Sequence, residues 1–174
     1  HLAGGSPYKG TNTIIEAWAR RTMPSLYLQV SSYAGQFRYE KSIDWIFSRL
    51  PRNQLQNLQN YCGIHLCLSE VEGWGHYLIE AMATGAVIIT TDAPPMNEYI
   101  TDKRCLVPYQ STKPCHLATR YFVDPEVFSN VFLNLISLSD DELEKIGRLN
   151  REKYLKMTNN FKRRLKELIE KLSR

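Results

Sequence analysis

The stretch Ile64-His-Leu-Cys-Leu-Ser-Glu-Val-Glu-Gly-Trp-Gly-His-Tyr-Leu-Ile-Glu-Ala-Met-Ala-Thr-Gly-Ala-Val-Ile-Ile-Thr-Thr91 decides the fold. It opens on a short apolar run, Ile64 to Leu68, of a length that suits a buried strand. A loop, Ser69 to Trp74, leads into a helical pattern from about Gly75 to Thr84. Gly85 stands where a left-handed residue ends a helix. Ala86 to Thr91 is β-branched and uninterrupted, the pattern of a strand covered on both faces. Strand, loop, helix and strand in this order make a βαβ unit with a parallel sheet.

The alternation continues in both directions. Upstream, Leu2-Ala3 reads as the tail of a strand, Gly4 to Lys9 as a turn, and Gly10 to Arg21 as a helix with Ile14, Ile15, Trp18 and Ala19 inward. Pro24 ends that stretch, and Leu26 to Val30 reads as a second strand. Ile43 to Phe47 fits a short strand or a helical turn, and Pro51 to Asn60 a helix with Leu55 and Leu58 inward. Downstream, a Pro-rich turn at Asp92 to Pro95 precedes a short helix to Ile100. Cys105 to Val107 is a short strand stopped by Pro108.

From Pro125, a residue suited to a first helical position, the pattern is helical to the end. Val127, Val131, Leu135 and Leu138 follow helical spacing, and Ser139 with Glu142 forms a capping-box pattern. One helix is predicted to about Met157 and another from Asn160 to Leu172. Phe161, Leu165, Leu168, Ile169 and Leu172 form a single stripe on the latter. The fold class is α/β: a doubly wound, Rossmann-like parallel sheet in a single domain, 1–174, with C-terminal helices at about 125–174. Ligands of such sheets bind at the carboxyl ends of the strands, where loops 69–75 and 92–95 fall.

The 174 residues are 43% hydrophobic, enough for one core without staples. Nine glycines and eight prolines exclude collagen and low-complexity disorder. No apolar run is long enough for a membrane-spanning helix, and no signal-peptide pattern opens the chain. A net charge of +4 is too mild to imply nucleic acid. Six basic and two acidic residues lie between Phe161 and Arg174. Two readings of this basic helix stand: one packed on the sheet with a solvated basic face, which is favoured, and a contact with an anionic membrane surface or acceptor. Cys62, Cys67, Cys105 and Cys115 read as free thiols of a reducing, cytoplasmic compartment, with peripheral membrane attachment as an extension of the second reading. Their spacing with His65 and His116 matches no usual zinc pattern.

Three elements carry chemistry. In Ser69-Glu-Val-Glu-Gly-Trp-Gly75, the two glycines let backbone approach a ligand, and the helix start that follows favours an anion such as phosphate. Glu72 lies in that loop. Glu80 interrupts the apolar run Tyr77 to Ala83, where a solvated helix face is the plain alternative. Lys9-Gly10 places a lysine ahead of a helix, where it can hold phosphate or simply face solvent. Asp92-Ala-Pro-Pro-Met-Asn-Glu98 puts a stiff turn after a strand and a carboxylate into the next turn.

Taken together, Lys9-Gly10-Thr11, Glu72-Gly-Trp-Gly75, Glu80-Ala-Met-Ala83, Gly85 and Asp92 to Glu98 resemble the C-terminal, nucleotide-sugar-binding half of GT-B glycosyltransferases of the family-4, group 1 type. Glu72 and Glu80 match that family's E-x7-E signature in both of its contexts, and only 31–60 matches weakly. The resemblance implies a retaining, metal-independent transferase that uses no cofactor and takes a UDP- or GDP-sugar as substrate. Glu72 would contact the donor sugar, and Lys9 would neutralise the leaving diphosphate. Gly73, Trp74 and Gly75 would line sugar and diphosphate, with His76, Gly4, Gly5, Pro95 and Met96 around them. Glu80 would hydrogen-bond the ribose. Where the family carries a second cation, five positions before the lysine, this chain has Gly4. The acceptor (glycan, lipid or protein) would bind an N-terminal domain not contained in the chain, so that this part alone binds donor weakly and transfers little. The alternative is a non-catalytic nucleotide-sugar-binding or interaction module on the same fold.

Overall fold

A computed structural model describes residues 1–31 and 41–173 of the chain. The stretch 32–40, within the region of weakest resemblance, lies outside the described residues. Two three-stranded parallel sheets form the centre. The first contains β1 (Leu2–Gly4), β2 (Leu26–Val30) and β3 (Ile43–Ile46) in that order, and the second β4 (Ile64–Cys67), β5 (Val87–Thr91) and β6 (Leu106–Val107). The residues at 43–46 are thus a strand, paired in register with β2 from Leu26↔Ile43 to Gln29↔Ile46. β1 lies beside β4 without a continuous ladder. His1 Nδ1 donates to Leu66 O (2.7 Å), and Glu70 N donates to Tyr8 O (2.8 Å). The order 3-2-1-4-5-6 is that of a doubly wound sheet.

Among the described residues five α-helices accompany the strands: α1 (Thr11–Arg20), α2 (Arg52–Tyr61), α3 (His76–Thr84), α4 (Pro125–Ile136) and α5 (Asp140–Leu172). The core runs under both sheets through Ile14, Leu28, Leu78, Met82, Ile88, Ile89, Phe128 and Leu135. All five residues of β5 are buried, as its β-branched run requires. Its two threonines are satisfied across the sheet. Thr90 Oγ1 donates to Cys67 O and Thr91 Oγ1 to Ser69 O, each at 2.8 Å, which ties the end of β4 and the following loop to the sheet.

Some predicted faces shift by a residue. On α1, Ala17 is buried and Ala19 exposed. On α4 the buried side is Phe128, Ser129, Phe132 and Leu135, while Val127 faces solvent. The reason is Trp18, whose ring lies 6.3 Å from that of Phe128 and 5.3 Å from that of Phe132; aromatic area outweighs the aliphatic stripe. Asp124 caps α4, accepting from the N–H groups of Glu126 (2.8 Å) and Val127 (3.1 Å). Asp124→Ala is expected to lower stability by about 1 kcal/mol, read as a lower urea midpoint at unchanged slope.

The C-terminal region differs from expectation in two ways. The predicted helices to Met157 and from Asn160 are one helix of 33 residues, since Thr158-Asn159-Asn160 contains no proline or glycine to break it. Ser139 caps it in the expected box with Glu142. Its first half packs on α3 and β5: Ile146, Gly147 and Asn150 are buried, and Asn150 Nδ2 donates to Ala86 O (3.0 Å). The apolar stripe of its second half does not reach the sheet. Phe161 is 65% and Leu172 78% exposed, so the reading favoured from the sequence, a stripe buried against the domain, is overturned. Among the described residues no helix is long and apolar enough to cross a membrane. All four cysteines are free.

Candidate functional site

The site is built where β4 ends. Ser69 leaves the strand, and the chain turns through Glu72, Gly73 and Trp74 to Gly75, which has φ +70 and starts α3 without a side-chain cap. Across from it, Gly10 (φ +66) starts α1 and rests on Leu68, so close that an added Cβ would lie 2.1 Å from Leu68 O. Two helix starts without a side-chain cap therefore flank one carboxyl edge of the sheet.

Lys9 and Glu72 meet there as an ion pair, with side chains only 18% and 12% exposed. The ammonium also sits 3.8 Å over the ring of Tyr77. Ser69 Oγ donates to Glu72 Oε1 (2.6 Å) and lies 2.5 Å from the Tyr77 hydroxyl, which in turn accepts from Ser69 N–H (3.1 Å). Burial pushes the Tyr77 phenol well above its ordinary range, so it acts as a neutral hydrogen-bonding group. Tyr77 and Ser69 hold Glu72 and Lys9 in one geometry; neither was singled out from the sequence. Tyr77 sits where a helix-buried aromatic reads as core, which conceals its polar end.

Glu80 follows one helical turn on from Tyr77, exposed, with Gln59 Nε2 donating to its carboxylate (2.9 Å). Burial pushes the Cys67 thiol up to about 12; the positive charges of the N-terminus and Lys9 oppose that rise, and the negative charges of Glu72 and Glu80 add to it. The structure thus pairs Lys9 with Glu72 beyond the carboxyl end of β4, while Glu80 stands on α3 with Gln59 as its partner.

The other predicted residues divide. Gly73 and His76 are exposed, and Trp74 is 57% exposed. Trp74 is held by Tyr99, whose hydroxyl donates to Trp74 O (2.8 Å) and whose ring meets the indole edge-on at 6.4 Å. Gly4 (φ +56) ends β1 with nothing within 4 Å of an added Cβ, and Gly5 is exposed. Pro95 is half-buried after a cis peptide bond, in a turn closed by Asn97 Nδ2 donating to Asp92 Oδ1 (2.9 Å). Met96 starts a short 3-10 turn and is wholly buried, side chain and backbone alike, because its side chain fills the core; the structure does not offer it to a ligand.

One element of the site was not predicted. After β6, strands β7 (Tyr109–Cys115) and β8 (Ala118–Val123) form an antiparallel hairpin turning at His116-Leu117. It stands at the carboxyl edge and grips the site loop: Tyr121 N donates to Glu70 O (2.7 Å), and Arg120 pairs with the Glu70 carboxylate. Two runs rich in Tyr, Thr, Phe and Val around a two-residue loop were the available signal. Pro114 inside the first run, tolerated because the strand is an edge, hid it.

Residues 3–121 match the family description "Glycosyl transferases group 1". The chain belongs to that family. Among solved structures, the group 1 chain is similar to the catalytic domain of cholesterol-α-glucosyltransferase from Helicobacter pylori, with a TM-score of 0.65, 15% identity and coverage of 90% of this chain and 96% of that one. It is similar to the C-terminal domain of a group 1 glycosyl transferase family protein from Francisella tularensis, with a TM-score of 0.66, 21% identity and coverage of 89% and 83%. It is also similar to the Anabaena protein Alr3699/HepE, solved in complex with UDP and glucose, with a TM-score of 0.69 and 16% identity. There it covers 99% of this chain and 48% of that one, so the group 1 chain spans about half of that relative's length. No curated protein matches it in sequence. At these identities the structural likeness shows the fold, a Rossmann-like domain of GT-B type.

A cavity of about 350 Å³ opens between the starts of β2 and β4, lined by Trp18, Leu26, Leu58, Ile64 and Phe132, and reaches Cys67 and Tyr77 behind the Lys9–Glu72 pair. Its walls are mainly apolar, whereas a sugar diphosphate needs converging donors and positive charge. His65 on its wall is committed, with Nε2 3.0 Å from both Gln59 O and Cys62 O.

Proposed function

We propose that the chain is the donor-binding half of a retaining, metal-independent glycosyltransferase that moves a sugar from a UDP- or GDP-sugar to an acceptor. The observation that carries this reading is the half-buried Lys9–Glu72 pair between two helix starts that have no side-chain cap, with Glu80 on the second of those helices. The crystallised complex of the Anabaena relative with UDP and glucose supports a nucleotide-sugar of this kind.

In this reading the diphosphate lies across the starts of α1 and α3. Lys9 turns from Glu72 to the phosphate oxygens and meets the charge that grows as the bond to the sugar breaks. Glu72, released, accepts hydrogen bonds from sugar hydroxyls, and Gly73, Trp74 and Gly75 approach through backbone. Glu80 accepts from the ribose hydroxyls. The acceptor binds a preceding domain, and this chain alone transfers little. Loss of catalysis with retention of binding is the second reading, favoured by the absence of any side chain at Gly4.

The test is a thermal-shift series with UDP, GDP and their sugars, because a ligand of the folded state raises the midpoint. At least one is expected to do so in a saturable manner. Glu80→Ala, losing charge-assisted bonds to the ribose, is expected to weaken it about 10- to 100-fold. Absence of any shift across the series would refute donor binding.

We further propose that the exposed stripe of α5, flanked by Lys162, Arg163, Arg164, Lys166 and Lys171, rests on an anionic membrane surface. Co-sedimentation with phosphatidylserine vesicles is expected, falling with added salt and lost in Phe161→Glu/Leu165→Glu. Equal binding to neutral vesicles would argue against it.

A further inference from the structure

A nucleoside diphosphate brings more than one negative charge, and the edge it would occupy is acidic. Glu70 and Glu72 lie on the loop that borders it. Lys9 is already bound to Glu72, and Gly4 offers no side chain. The charge balance is unfavourable unless another cation enters the site. The β7–β8 hairpin supplies one.

We propose that Arg120 of this hairpin is a second diphosphate-binding cation; the inference rests on the donor reading above. Backbone geometry places it. Glu70 lies between two neighbours, its N–H donating to Tyr8 O (2.8 Å) and its carbonyl accepting from Tyr121 N (2.7 Å). Tyr8-Lys9, Glu70 and Arg120-Tyr121 therefore run side by side, with the outer segments two strand spacings, roughly 10 Å, apart. Lys9 and Arg120 flank the loop that carries Glu72.

The hairpin aims the charge. Lys113 is paired with Arg120 and Ser111 with Phe122, so Lys113, Arg120 and Phe122 share one face. That face meets the loop. The guanidinium lies 4.8 Å from the Tyr8 ring centroid and 4.9 Å from that of Phe122, and Lys113 Nζ lies 5.4 Å from the latter. Two aromatic rings and Glu70 hold Arg120 in place, half-buried at 29% exposure. Its Nε and Nη2 both donate to Glu70 Oε2. Among the described residues Nη1 has no partner, so an N–H pair remains for a phosphate oxygen while Glu70 keeps the fork oriented.

The test uses the chain with UDP and GDP and, for whichever binds, its monophosphate, in wild type and in Arg120→Gln, Arg120→Lys and Glu70→Gln. Each variant's own unliganded midpoint is the reference. Arg120→Gln is expected to weaken the diphosphate at least tenfold and the monophosphate much less. Arg120→Lys recovers part of the loss. Glu70→Gln, which keeps an acceptor for Arg120 but removes the competing charge, binds the diphosphate as well as wild type or better. Unchanged diphosphate binding in Arg120→Gln overturns the proposal. So does an equal loss in Glu70→Gln and Arg120→Gln, since the pair would then only anchor the hairpin. If wild type binds neither diphosphate, the donor reading itself fails, a result distinct from both.

Discussion

Lys9→Ala is expected to weaken binding of nucleoside diphosphates on the order of 100-fold, because hydrogen bonds to charged groups contribute about 1.5–3 kcal/mol each. The variant also loses stability for a separate reason. Glu72 is 12% exposed and keeps only the Ser69 hydroxyl as partner once the ammonium is gone. A half-satisfied buried carboxylate costs about 1–3 kcal/mol. The two effects separate in the double variant Lys9→Met/Glu72→Gln. Methionine preserves the packing over the Tyr77 ring, and glutamine preserves an acceptor for Ser69. Neutral replacement of both partners of an ion pair is often tolerated. The double variant is thus expected to recover most of the midpoint lost in Lys9→Ala while binding no better. Titration by calorimetry alongside urea unfolding checks both; recovery of binding together with stability would show that Lys9 serves the fold rather than the ligand.

The parallel core was legible because its signals are local. Val87 to Thr91 could only be a doubly covered strand, and Gly85 could only close α3, where it has φ +76. The capping box at Ser139 and Pro125 at the start of α4 were equally local, and both hold. The hairpin at Tyr109–Val123 was missed because its pairing is between two edge strands, one containing a proline, with no buried face to impose alternation. The single α5 was divided in two because Thr158-Asn159-Asn160 has poor helix propensity. In a 33-residue helix the flanking turns carry such a stretch.

The site was legible to the extent that it consists of charged groups at strand ends. Lys9, Glu72 and Glu80 stand out through the resemblance; of these, Lys9 and Glu72 meet as an ion pair, and Glu80 takes Gln59 as its partner. Their supports were not found. Gln59 and Tyr99 act through contacts 21 and 25 residues away, Ser69 and Tyr77 through a local turn whose geometry the pattern does not specify, and each looks ordinary where it stands. Arg120 illustrates the limit most clearly. It is one basic residue among 22, and only the fold brings it to Glu70 and Tyr8.

Gly10→Ala is expected to have the largest effect on the fold itself. Gly10 has φ +66, a conformation that costs an L-residue roughly 1–2 kcal/mol. The added Cβ would also lie 2.1 Å from Leu68 O and 3.0 Å from Leu68 Cβ, and the first of these is backbone at the end of a buried strand. Overpacking of this kind typically costs a further 1–3 kcal/mol. Relief requires α1 to move away from β4, and α1 carries Ile14 and Trp18 into the core. A loss of about 3 kcal/mol or more follows, which for a chain of 174 residues means a midpoint lower by roughly 10 °C. Gly4→Ala separates the two contributions. Gly4 shares the positive φ (+56) but has open space around its Cβ, so it is expected to lose only the conformational part. Circular dichroism melts of both variants decide the point: equal losses would mean that the Gly10–Leu68 contact yields without cost and that α1 is not fixed by it. If Gly10→Ala loses more, the same contact that sets the start of α1 against the end of β4 also fixes Lys9, one residue earlier, opposite Glu72.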